Sequence, residues 1–193
     1  MSALRNTIES YGLISILLHW LVALTVFGLI ALGLWMVELN YYSHWYKLAP
    51  FWHKSIGLSL AAVLVARLLW RLTNPQPKTL PSHRHWEVRL AHAAHALLYF
   101  MLFAILISGY LISTAKGQGI SVFGWFELPA LITELPGQAD RAGAEHYWLA
   151  MGVLALVALH ILGALKHHFI DRDTTLIRML RPGSTNTKES HNE

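Results

Sequence analysis

Twelve histidines and no cysteine bound the chemistry open to this chain. Disulfide scaffolds, thiolate zinc sites and iron–sulfur centres are excluded, so any metal chemistry rests on imidazole. The most informative pair is His146 and His160. On a helix, fourteen residues correspond to about 21 Å of rise and leave the two positions about 40° from the same face. One helix can thus aim two imidazoles at two levels of a bundle. His19 and His53 lie in other apolar runs and offer partners, one for each level. Two imidazoles approaching from opposite sides are the axial ligand set of a b-type haem, whose apolar macrocycle fits between helices. Zinc would want a tetrahedral cluster, usually with a carboxylate or thiolate, and no acidic residue lies mid-run. A haem-free metal carrier built on the same histidines is disfavoured for that reason.

The elements that must position these residues are four apolar blocks, at about 13–37, 52–72, 91–114 and 147–165. Each is close to the ~20 residues that cross ~30 Å of hydrocarbon as a helix, and none shows the alternation of a barrel strand. Only 13% of the 193 residues are charged and 54% are hydrophobic, against about 25% charged in a soluble domain. Pro75, Pro77, Pro81, Pro129 and Pro136 fall between the blocks, where helices end. The first block is too long for a signal peptide and is interrupted early by His19 and Trp20. The expected fold is an all-α, integral membrane four-helix bundle over residues 1–182, with a disordered polar tail at 183–193. Eleven Lys and Arg residues fall at the ends and second connection, against Lys47, Lys54, Lys116 and Arg141 on the other face. This asymmetry places both termini in the cytoplasm. The third connection, 115–145, is long and rich in Gly and Pro, and is expected to fold as a cap or re-entrant segment. The formal charge of +4 is dispersed and does not point to nucleic acid.

With this topology, His53 and His146 share the outer level, and His19 and His160 the inner one. A histidine within a span is a functional candidate by default. His92 and His95, one turn apart at the inner level, compete with His160 for the inner iron. His44, His83, His85, His167, His168 and His191 read as interfacial or surface residues. Gly57 and Gly163 would let a flat group approach a helix closely. Gly117-Gln118-Gly119 has no dinucleotide or phosphate context.

Several stretches resemble the bacterial cytochrome b561 family of four-helix, dihaem inner-membrane proteins: SILLHWLVAL (15–24), FWHKSIGLSL with the later ARLLWRL, RLAHAAHALLYF (89–100), GAEHYWLA, and ALHILGALKHHFIDRDTTLIRML (158–180). The likeness covers nearly the whole chain apart from the tail. The b subunits of nickel–iron hydrogenases and formate dehydrogenases share the architecture less closely. The resemblance implies two haems b, with His53 and His146 as outer ligands and His19 and His160 as inner ligands. His92 and His95 also match the family's third-helix element, which supplies a ligand in eukaryotic relatives. It implies electron transfer from a periplasmic one-electron donor, most specifically superoxide, to membrane ubiquinone. Its alternative is a non-enzymatic anchor and conduit for a periplasmic dehydrogenase or soluble cytochrome. Lys166, His167 and His168 fall where relatives hold quinone. No residue is singled out as an acid–base catalyst, since electron transfer needs none. The outer face carries four basic and five acidic residues, a net of −1; this neither favours nor opposes anion steering, although Lys47, Lys54 and Lys116 lie near the outer level.

Overall fold

The computed structural model describes residues 4–183. Apart from Gly183, the polar tail expected at 183–193 lies outside the described residues. Four long helices dominate: α1 (Leu13–Met36), α2 (Trp45–Thr73), α3 (His85–Thr114) and α4 (Gln138–Phe169). All four are long and apolar enough to cross a bilayer. A short helix, α5 (Thr175–Arg178), follows α4, and two three-residue strands, β1 (Ile120–Val122) and β2 (Phe126–Leu128), lie between α3 and α4.

The helices run further than the apolar blocks at several ends. α2 begins at Trp45, α3 at His85 and α4 at Gln138. Hydropathy marks the buried-in-lipid stretch, whereas backbone hydrogen bonding carries the helix on through polar and aromatic turns at the membrane surface. Pro50 consequently lies inside α2, near its N-terminal end, where it leaves the Tyr46 carbonyl without its helical N–H donor.

α1 packs on α2 and α3 on α4, and all four helices meet in one apolar cluster of Val22, Val26, Leu60, Leu64, Leu102 and Val153. Many large apolar side chains on the same helices face outward, among them Leu17, Leu24, Leu69, Phe100, Leu159 and Leu162. A soluble protein would not leave such a surface uncovered, whereas lipid chains cover it.

The two ends of the bundle differ. At one end the third connection folds into the expected cap, in the form of a β-hairpin: Ile120 pairs with Leu128 and Val122 with Phe126, antiparallel. Fully buried Ser55 on α2 ties it down, accepting from the Phe123 N–H at 3.0 Å and donating to the Ser121 carbonyl at 3.4 Å. The turn uses Gly124 at φ 75° beside Phe123 at φ 53°, the left-handed backbone that glycine accepts at no steric cost. At the other end the N-terminal segment, the α2–α3 connection and the segment after α4 interlock. Asn6 donates to the Pro75 carbonyl (3.0 Å), Lys78 N–H to the Ile8 carbonyl (2.8 Å), and the Trp20 indole to the Met179 carbonyl (2.7 Å). The described chain thus begins and ends on the same side of the bundle.

Candidate functional site

The hairpin-end level is built on His53 and His146. Their ring centroids are 6.2 Å apart. At the termini-end level, His19 and His160 are 6.3 Å apart. These distances carry chemical information. Metal–imidazole bonds of about 2.0–2.1 Å, plus about 1.2 Å from nitrogen to ring centre, put trans imidazole centroids about 6.4 Å apart. Both pairs match the separation of two axial ligands on one iron. His95 also reaches His160, at 5.2 Å, about 1 Å closer than the partners of either pair, and remains the alternative ligand at this level. His92 is exposed.

The hydrogen bonds fix which nitrogens are bare. His146 Nδ1 lies 3.0 Å from the Ile105 carbonyl and 3.0 Å from Ser108 Oγ. A carbonyl only accepts, so Nδ1 holds the proton and Nε2 keeps its lone pair, as in most ligating histidines. His95 Nδ1 has the same arrangement with the Ala91 carbonyl at 2.7 Å. His19 differs: Arg67 Nη2 lies 2.9 Å from its Nδ1, and guanidinium only donates. The His19 proton therefore sits on Nε2, and this ring offers Nε2 to a metal only when Arg67 releases Nδ1. Arg67 has a second resting place, over the Tyr99 ring at 5.6 Å.

Two further observations test whether these residues suit haem. His53 Nδ1 is buried and, among the described residues, without a hydrogen-bond partner, an uncompensated polar atom in the bundle interior. Both hairpin-end rings lie against bare backbone: a Cβ at Gly33 would stand 3.2 Å from His53 Cε1, and one at Gly109 would stand 3.2 Å from His146 Cε1. A side chain at either position would press on the ring, which would have to give by a few tenths of an ångström. Gly57, one turn beyond His53, and Gly163 have open space where a side chain would stand. An imidazole-only donor set, apolar surroundings and glycine clearances fit a flat apolar metallocycle between two rings. They do not fit a tetrahedral ion.

Lys166, His167 and His168 lie together at the termini end, as expected from their sequence, but differ in their contacts. Lys166 binds Glu87 of α3 and, at 2.7 Å, Asp171. His167 Nδ1 lies 2.8 Å from Asp171 and 3.1 Å from Asp173. His168 Nδ1 is buried and has no partner among the described residues. Ser82, Arg84, Trp86, Glu87, Lys166 and Asp171 line an open polar hollow of ≈ 490 Å³ there. Burial alone would raise the Asp173 carboxyl. Hydrogen bonds from the Thr175 hydroxyl and N–H, with His83 and His167 alongside, bring it down to about 2.

Sequence reasoning missed Gly33, Gly109, Arg67 and Ser108. In a membrane helix a glycine is common, and only the ring it faces gives it meaning. Arg67, an arginine near the end of an apolar run, reads in sequence as one more cation of the positive face.

A four-helix membrane bundle with two levels of paired imidazole is the architecture of a transmembrane cytochrome b. Comparison of the sequence with known families agrees: the family model described as prokaryotic cytochrome b561 matches residues 10–182, and the chain belongs to that family. Cytochrome b561 homolog 2 of Escherichia coli K12 is 56% identical over 180 residues, covering 93% of this chain and 96% of the relative. A probable superoxide oxidase CybB of Yersinia pestis is 30% identical, covering 89% and 96%. Cytochrome b561 homolog 1 of E. coli K12 is 27% identical, covering 86% and 93%. The protein is a multi-pass protein of the bacterial inner membrane, and its family carries electrons across that membrane through haem b.

Proposed function

We propose that the chain binds two haems b, one between His53 and His146 and one between His19 and His160, and conducts electrons from superoxide in the periplasm to ubiquinone. The observation that carries this reading is the repeated pair separation, 6.2 Å and 6.3 Å, on histidines fourteen residues apart along α4. In this reading the hairpin end is periplasmic and both termini are cytoplasmic, in keeping with the Lys/Arg asymmetry.

Haem b, when bound, supplies reversible one-electron iron chemistry. The protein's own residues do the rest. His146, oriented by Ile105 and Ser108, presents a fixed lone pair, while Gly33 and Gly109 leave clearance for the rings. The apolar cluster from Val22 to Val153 keeps water from the space between the two levels. At the outer face, Lys47, Lys54 and Lys116 are the cations near the outer level that could attract an anion. Two superoxide anions lose one electron each and leave as dioxygen; ubiquinone takes up both electrons and two protons. Lys166, His167 and His168 lie at the cytoplasmic end, where Lys166 and His168 would hydrogen-bond the quinone and supply those protons. The superoxide assignment draws support from the name of the Yersinia relative, a probable superoxide oxidase; the quinone assignment rests on the family resemblance alone.

The test is reduction of the purified cytochrome by an enzymatic superoxide source, in liposomes with and without ubiquinone. Rapid reduction that superoxide dismutase abolishes, followed by quinol formation, is the expected result. Reduction insensitive to the dismutase would overturn the superoxide assignment. Tight co-purification with a periplasmic dehydrogenase, with no turnover by the isolated chain, would replace it with the conduit role.

A further inference from the structure

At the termini end, three segments remote in sequence bring metal-binding groups to one point. His83 lies in the α2–α3 connection, His167 in the last turn of α4 and Asp173 in the segment that follows. Their donor atoms all lie within 4.8 Å of one another. His83 Nε2 is 3.0 Å and His167 Nδ1 3.1 Å from the same atom, Asp173 Oδ2. The two imidazoles face each other with centroids 4.5 Å apart. Asp171 Oδ2 stands 2.8 Å from the same His167 nitrogen. The side chains of His83, His167 and Asp173 are 15%, 17% and 7% exposed. This cluster plays no part in the paired levels within the bundle.

We propose that His83, His167 and Asp173 form a zinc-class divalent metal site at the cytoplasmic end, with Asp171 as the nearest fourth ligand. A tetrahedral ion with bonds of about 2.0–2.1 Å sets its donors about 3.3 Å apart. The two histidine–Asp173 separations are within a few tenths of that, so binding requires small outward shifts and loss of the imidazole protons that now face the carboxylate. Two nitrogens with one or two carboxylate oxygens suit zinc; magnesium and calcium prefer oxygen alone. The surrounding contacts already hold the ligands in place. Thr175 N–H donates to Asp173 Oδ1 at 2.8 Å, the Thr175 hydroxyl lies 3.1 Å from His83 Nε2, and Lys166 holds Asp171 at 2.7 Å. Such supporting contacts orient ligands and contribute to affinity. The ion would clamp the α2–α3 connection to the end of α4.

The test uses haem-loaded protein in detergent, so that the intramembrane histidines are already engaged, and a zinc titration against a chromophoric chelator. One zinc per chain is expected, undiminished by excess magnesium. His83→Ala and Asp173→Asn should each weaken binding at least about tenfold with haem spectra unchanged, whereas His44→Ala, at the opposite end, should bind as the native chain does. If one of the two ligand variants fails to assemble, the other decides. No saturable zinc binding, or binding of undiminished affinity in the assembled ligand variants, overturns the site.

Discussion

At the residue scale, the two levels are asymmetric in how their rings are held. His146 has its proton fixed by the Ile105 carbonyl at 3.0 Å and its ring face cleared by Gly109. His19 is instead held by Arg67, a cation that must move before Nε2 becomes available. The glycines give the sharper prediction. A valine at position 109 places branched carbon where Cβ alone would stand 3.2 Å from the ring. His146 would then be pushed off its rotamer, at a cost of about 0.5–1.5 kcal/mol. Gly109→Val should lose the hairpin-end haem and retain the other, seen as a fall from two haems to one per chain. A full haem complement in this variant would show that the ring does not need the clearance. Neither glycine could be picked out beforehand. The histidines were legible because imidazole in lipid is costly and rare, whereas a glycine there is ordinary.

At the element scale, each helix supplies one residue to each level, and always at the same interval: Gly33 and His19 on α1, His53 and Arg67 on α2, Gly109 and His95 on α3, His146 and His160 on α4. Fourteen residues amount to about 21 Å and nearly four turns, so one rotational setting of a helix serves both levels. The interval was readable on α4, where both members are histidine. It was hidden on the other helices, where the partner is glycine or arginine. The hydrophobic cluster occupies the interval on every helix: Val22 and Val26, Leu60 and Leu64, Leu102, and Val153. The hairpin is the element that sequence patterning could only outline, because three-residue strands carry too little alternation to be read. Its attachment depends on Ser55. Ser55→Ala would leave the Phe123 N–H without its acceptor in a half-buried setting, at about 1 kcal/mol. The expected outcome is earlier thermal loss of the Soret band in detergent, with haem content at assembly unchanged. An unaltered melting midpoint would mean the hairpin is held by other contacts.

At the scale of the whole molecule, apolar helix surface and interlocked termini define how the protein sits in the membrane. The four blocks were legible from hydropathy alone, since bilayer thickness dictates their length. The cluster of His83, His167 and Asp173 was not, because its members are 84 and 6 residues apart and meet only once the helices are docked. The proposed orientation is open to a clean test, because the native chain has no cysteine to give background labelling. Exposed Tyr42, near the hairpin end, and exposed Ser82, at the termini end, can each be replaced singly by cysteine. In intact spheroplasts an impermeant maleimide should label Tyr42→Cys and leave Ser82→Cys untouched until the membrane is opened. The reverse pattern would invert the proposed direction of electron flow.

The central claim is that each level of paired histidines holds one haem b. Its most direct measurement is the haem-to-protein ratio, by pyridine haemochrome, of the purified native chain beside His146→Ala and His160→Ala. The account predicts two haems b in the native chain and one in each variant, lost from different levels and therefore leaving different reduced-minus-oxidised spectra. A native ratio of one or none, or two haems retained in both variants, would contradict it.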